Sequence, residues 1–143
     1  MFRVNGKRMY IFLSGVLLLA VIVYWLDAIA QDNFYYWIYW WYDIMMHFLG
    51  GFLVASFVLW FFLRFGFNRF QTLSAFFVIS IVSGFSIGIG WELFEYFSGI
   101  LQQQPGNIIG DTILDLVMDC VGAIAAWGVA SLFFVERKEL QNG

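Results

Sequence analysis

One cysteine, one proline, one histidine and a charged fraction of only 12% set the first bounds on this chain of 143 residues. Cys120 has no second cysteine to pair with, so an internal disulfide is excluded. A lone thiol beside Asp119 is not a zinc-site pattern, and it reads first as a small packing residue, with metal ligation as the alternative. A single histidine argues against a ferritin-like di-iron bundle, which needs two Glu-x-x-His motifs. The 62% hydrophobic and 22% aromatic content is more than a soluble domain of this size can hide. The seven Lys and Arg residues are spread over three segments and form no stripe, which removes nucleic acid as a partner. The net charge of −3 averages two unlike faces and says little about partners.

What is present is long apolar runs. Four are long enough to cross a bilayer, over residues 10–29, 44–63, 73–97 and 113–134. Arg3, Lys7 and Arg8 precede the first, Arg64 and Arg69 lie between the second and third, and Arg137 and Lys138 follow the fourth. The other two connections carry no cation, so the positive-inside rule puts both termini in the cytoplasm of a cell-membrane protein. The expected architecture is an all-α integral membrane protein, a single domain over 1–143 built as an antiparallel bundle of four transmembrane helices. The basic start, the apolar run and the Ala28-Ile29-Ala30 triplet also resemble a cleavable signal peptide. The run of about 17 residues is long for that purpose and Asp27 interrupts its end, so it is read as a retained span.

Residues 34–42 read FYYWIYWWY. Tyr and Trp favour the headgroup level, where a ring can be apolar at one end and wet at the other. The segment is expected to form an outer interfacial belt, helical and running into the second span, or an aromatic platform for a lipid or polyprenyl headgroup. The connection Ser98–Gly110 holds Pro105 with Gly99, Gly106 and Gly110, which is turn chemistry. The short connection from Arg64 to Gln71 makes the second and third spans antiparallel neighbours.

Helical spacing organises the acids, because residues three or four apart share a face. Asp43, His47, Gly51 and Ala55 form one stripe. Ser80, Gly84, Gly88, Glu92 and then Glu95 form a second; Asp111, Asp115, Asp119 and then Gly122 or Ala123 form a third. Each is acidic at the end away from the cations and small-residue deeper in. Small residues mark close helix–helix interfaces in membranes, so the three faces are expected to converge. Asp111 to Asp119 covers about 12 Å of helix axis, which carries the site into the outer leaflet.

Convergence of Asp43, Glu92, Glu95, Asp111, Asp115 and Asp119, with Asp27 nearby, confronts one histidine and no Lys or Arg. Such a cluster in low dielectric must take up protons or hold cations. Asp43, His47, Glu92, Asp115 and Asp119 make an oxygen-rich set with one nitrogen, which suits Mg, Mn, Ca, Fe or Zn. His47 and Glu95 are the candidate general acid or base. The structural alternatives are an Asp–His bond that fixes packing, mutually hydrogen-bonded acids, a solvated interfacial Glu95, helix-end roles for Asp27 and Asp32, and a helix N-cap at Asp111.

The order Trp41-Tyr42-Asp43 with His47-Phe48, then Gly90-Trp91-Glu92-x-x-Glu95, then Gly110-Asp111-Thr112-x-x-Asp115-Leu116-x-x-Asp119 with Gly122-Ala123, resembles the VanZ-like and YjdF-like group of small membrane proteins. It covers residues 41–128 and leaves out the first span. The resemblance implies a multi-pass membrane protein; some VanZ-like members are linked to resistance to glycopeptide antibiotics. Three functions fit these residues. The first is a metal-dependent enzyme acting on, or a protein binding, a lipid-linked headgroup at the outer face. The second is a proton or cation pathway, for which the cytoplasmic half offers only Ser56, Ser80, Ser83 and Ser86. The third is a non-catalytic structural or accessory membrane protein. Membrane lipids are partners in all three.

Overall fold

An apolar run that meets lipid must satisfy its own backbone hydrogen bonds, and a helix does so within one segment. The computed structural model describes residues 6–65, 72–99 and 107–134, and each apolar run in it is helical. Helix α1 spans Gly6–Asp32, α2 Tyr35–Ile38, α3 Trp40–Arg64, α4 Leu73–Ser98 and α5 Ile108–Phe134. The four long helices are all apolar enough to cross a membrane, and the architecture is the all-α four-helix membrane bundle expected. They extend beyond the expected spans because the polar flanks Gly6-Lys7-Arg8 and Gln31-Asp32 continue the same helix. Pro105, Gly106, Arg3, Arg69, Arg137 and Lys138 lie outside the described residues.

The helices alternate in direction. Met9, Phe12 and Val16 from the start of α1 share one buried cluster with Leu59 and Leu63 from the end of α3. Phe76 from the start of α4 and Phe134 from the end of α5 complete it. Lys7, Arg8 and Arg64 belong to this end of the bundle, and the Arg8 guanidinium donates from Nη1 to the Phe133 carbonyl at 3.2 Å. A cation there complements the partial negative charge of a helix C-terminus. The bundle is uneven. Helices α3, α4 and α5 pack on one another, whereas α1 packs chiefly on α3. Its other sides are open, with Tyr24 and Trp25 among many exposed apolar residues, as a lipid-facing surface requires.

The small-residue stripes bring the three inner helices together. A Cβ built on Gly51 of α3 would collide with the backbone carbonyl of Asp119 on α5. One built on Gly122 of α5 would collide with the Phe48 carbonyl and lie 2.7 Å from the Phe52 nitrogen of α3. Hydrogen in place of a side chain is what lets these two backbones approach.

Two local expectations are corrected. The aromatic segment does not run helically into the second span: α2 is a single four-residue turn, and Tyr39 is extended (φ −117°, ψ 101°) before α3 begins. Tyr35, Tyr36, Tyr39 and Tyr42 stack edge to face across that break, with centroids 5.4–5.6 Å apart, and the contacts hold the chain in the bend. Nor is Asp111 the N-cap of α5. The helix starts one turn earlier, and Asn107 caps it by accepting from the Gly110 N–H at 3.3 Å.

Candidate cation site

Asp43 and His47 sit one turn apart on α3, and Asp115 and Asp119 one turn apart on α5. The Gly51–Asp119 and Gly122–Phe48 approaches therefore set the two pairs face to face. His47, Asp115 and Asp119 are buried, with relative exposures of 5%, 2% and 3%; Asp43 is half-buried. The His47 Nδ1 atom lies 2.9 Å from Asp119 Oδ2. On the other side of the ring, Nε2 lies 3.8 Å from Asp43 Oδ1 and has no hydrogen-bond partner among the described residues. Asp115 Oδ1 is likewise buried and unpartnered. One ligand atom each from Asp43, His47 and Asp115 falls within 4.8 Å of the others, and this buried His/Asp/Asp group could hold a metal ion.

The remaining acids take distinct places. Glu92 of α4 is half-buried; its Oε2 accepts from the Thr112 hydroxyl at 2.5 Å, while Oε1 has no partner among the described residues. Asp43 and Asp115 each fall within electrostatic range of Glu92 and Asp111, so the acidic ends of all three inner helices converge. Glu95 is buried and accepts from the Trp91 indole N–H at 3.0 Å, a bond within its own helix. Of the five residues the spacing selects as ligands, three make the compact group. Asp119 lies on the opposite ring nitrogen, and Glu92 lies outside the group. Cys120 is a half-buried free thiol and also stays outside it.

Three residues enter the site that the spacing argument does not select. Thr112 does so through its bond to Glu92, and its place directly after Asp111 in the third stripe was the available signal. Trp91 holds Glu95. Tyr36 donates its hydroxyl to Asp27 Oδ1 at 2.7 Å, and Gln31 Nε2 donates to Oδ2 of the same carboxylate at 2.7 Å. Burial, and then the bond to Asp27, push the Tyr36 phenol well above its ordinary range, so it stays a neutral donor. The folded state therefore keeps this proton when the unfolded chain loses it. Stability from this bond is present below about pH 10 and declines as the pH rises beyond it. Tyr36→Phe is expected to remove about 1 kcal/mol at neutral pH together with part of that alkaline decline, as read by thermal melting across pH.

Two cavities flank the group. One of about 300 Å³ is lined by residues of α1, α3 and α4 and by His47, Asp119, Asp27 and Tyr36. The other, of about 460 Å³, has Asp43, Asp111 and Asn107 on one side and Tyr36, Trp37 and Trp40 on the other. A profile of the family described as "Predicted membrane protein (DUF2238)" matches residues 4–136 of the chain. No curated protein matches, and no solved structure does.

Proposed function

The chain belongs to this DUF2238 family of predicted membrane proteins, and from that premise we propose that it is a multi-pass membrane protein that binds a divalent cation between α3 and α5. The ligands are Asp43, His47 through Nε2, and Asp115. Asp119 accepts a hydrogen bond from Nδ1–H and thereby fixes the ring's orientation and tautomer. Glu92, held by Thr112, stands in reserve for the coordination sphere. The observation that carries this reading is the pair of buried, unpartnered atoms, His47 Nε2 and Asp115 Oδ1, beside an Asp43 oxygen. A histidine that ligates a metal with one nitrogen almost always donates from the other to a carboxylate or carbonyl, and His47 and Asp119 have that disposition. Leaving the atoms unpaired costs about 1–3 kcal/mol each, and a cation removes the penalty.

One nitrogen with carboxylate oxygens suits Mn, Fe or Zn better than Mg or Ca, which prefer oxygen alone. The positive-inside argument supports cytoplasmic termini, with the site and the aromatic turn at the outer face. The shared motif order supports kinship with the VanZ-like and YjdF-like proteins. Any catalytic role on a lipid-linked headgroup would fall to the metal, with Glu95 rather than His47 as the acid or base, because both ring nitrogens of His47 are engaged, one by the metal and one by Asp119.

Elemental analysis of detergent-purified protein tests the reading. Near-stoichiometric metal is expected in the wild type and none in Asp115→Asn; a metal-free wild type that takes up no added Mn, Fe or Zn would overturn it. A second expectation concerns stability. Free metal at 100 times its Kd should stabilise the bundle by about 2.7 kcal/mol, seen as a raised melting temperature that a chelator reverses.

A further inference from the structure

The cavity of about 300 Å³ is a cleft between α1 and α4 with α3 as its floor. It exists because α1 packs chiefly on α3, leaving its flank apart from α4. Ala20, Val23 and Asp27 lie on one face of α1 and Ile87 and Trp91 on one face of α4, so the two helices form opposite walls. Tyr24, Ile87 and Trp91 at the rim are exposed, which opens the cleft sideways to lipid. Along its length the lining changes from the apolar Ala20, Val23 and Ile87 to Asp27, Tyr36 and Trp91. Asp27 lies about 10 Å further along the helix axis than Ala20.

The polar end is electrostatically incomplete. Both groups that donate to Asp27, the Tyr36 hydroxyl and the Gln31 amide, are neutral. No Lys or Arg occurs between Arg8 and Arg64, or between Arg69 and Arg137. Buried His47 and Asp119 lie in the back wall. A phosphate would meet carboxylates there, whereas an ammonium group would meet opposite charge and the rings of Tyr24, Tyr36 and Trp91, which attract cations.

We propose that this cleft binds an amine-bearing membrane lipid, one acyl chain lying between α1 and α4 and the ammonium group at Asp27. The inference stands apart from the cation site, because the ammonium group is placed at Asp27 and not at Asp43, His47 or Asp115, although His47 and Asp119 also line the cleft.

The test is native mass spectrometry of the protein released from nanodiscs containing equal amounts of phosphatidylethanolamine and phosphatidylglycerol. Retained phosphatidylethanolamine should exceed phosphatidylglycerol at least about fivefold. Asp27→Asn should abolish the preference, and Trp91→Leu, which leaves the carboxylate in place, should reduce it. Ala20→Phe, which fills the apolar end, should lower retention of both lipids. Equal retention, a preference for phosphatidylglycerol, or a preference unchanged in Asp27→Asn would overturn the proposal. Soluble ethanolamine should not displace the lipid; if it binds as tightly by itself, the site is for a free amine and the lipid assignment fails.

Discussion

Replacing His47 by Ala is expected to abolish cation binding, and replacing Asp119 by Asn to weaken it roughly 10–100-fold although Asp119 is not itself a proposed ligand. The first change removes the only nitrogen ligand. The second removes the charge that holds the Nδ1 proton, and losing such outer partners typically costs that much affinity. The sign of the stability change separates this from a purely structural acid cluster. In metal-free protein, Asp115→Asn withdraws one carboxylate from a group that holds Asp43, Asp111 and Glu92 within electrostatic range. Relief of repulsion should leave the empty variant at least as stable as the empty wild type. With saturating metal the order reverses, because only the wild type gains binding free energy. If Asp115 instead served packing alone, the Asn variant would be the less stable under both conditions. Isothermal titration and melting curves, each with and without chelator, measure both effects.

Gly51→Ala should destabilise the bundle by about 1–3 kcal/mol and weaken cation binding as well. The new methyl meets the Asp119 backbone carbonyl, which cannot swing aside as a flexible side chain can. Helices α3 and α5 must then separate, and Asp119 and Asp115 move away from His47. Gly122→Ala presses on Phe48 from the opposite helix and should behave alike. Gly15→Ala and Gly128→Ala are the controls. Neither Cβ meets anything within 4 Å among the described residues, and alanine in a helix interior gains about 0.5–1 kcal/mol over glycine. A loss at Gly51 with a gain at Gly15 would tie the effect to the α3–α5 approach rather than to glycine as such.

The helices were readable in the sequence because apolar length is dictated by bilayer thickness, and the convergence of α3, α4 and α5 because a 3.6-residue period places Asp43, Gly51, Gly88 and Asp119 on definite faces. Periodicity says which face a side chain leaves from and stops there. It does not decide which carboxylate meets which ring nitrogen, so Asp119 and Asp115 read as equivalent neighbours until the ring of His47 is oriented between them. Nor does it show that Glu92 turns to Thr112. The break at Tyr39 was hidden by a run of aromatics that suits a helix and a bend equally well. The cap at Asn107 was masked by a better-known capping residue at Asp111, four positions on. The lateral cleft depends on how little of α1 touches α4, and α1 carries almost no face preference in its uniformly apolar sequence.

The most direct test of the cation site uses the fact that the chain has a single histidine. Nitrogen-15 NMR of ¹⁵N-histidine-labelled protein reports one imidazole, before and after addition of diamagnetic zinc. Nε2 is expected to shift to the position of a metal-bound nitrogen while Nδ1 stays protonated against Asp119, and Asp115→Asn to block the shift. An imidazole whose two nitrogens are unmoved by zinc, or one that binds it through Nδ1, would contradict it.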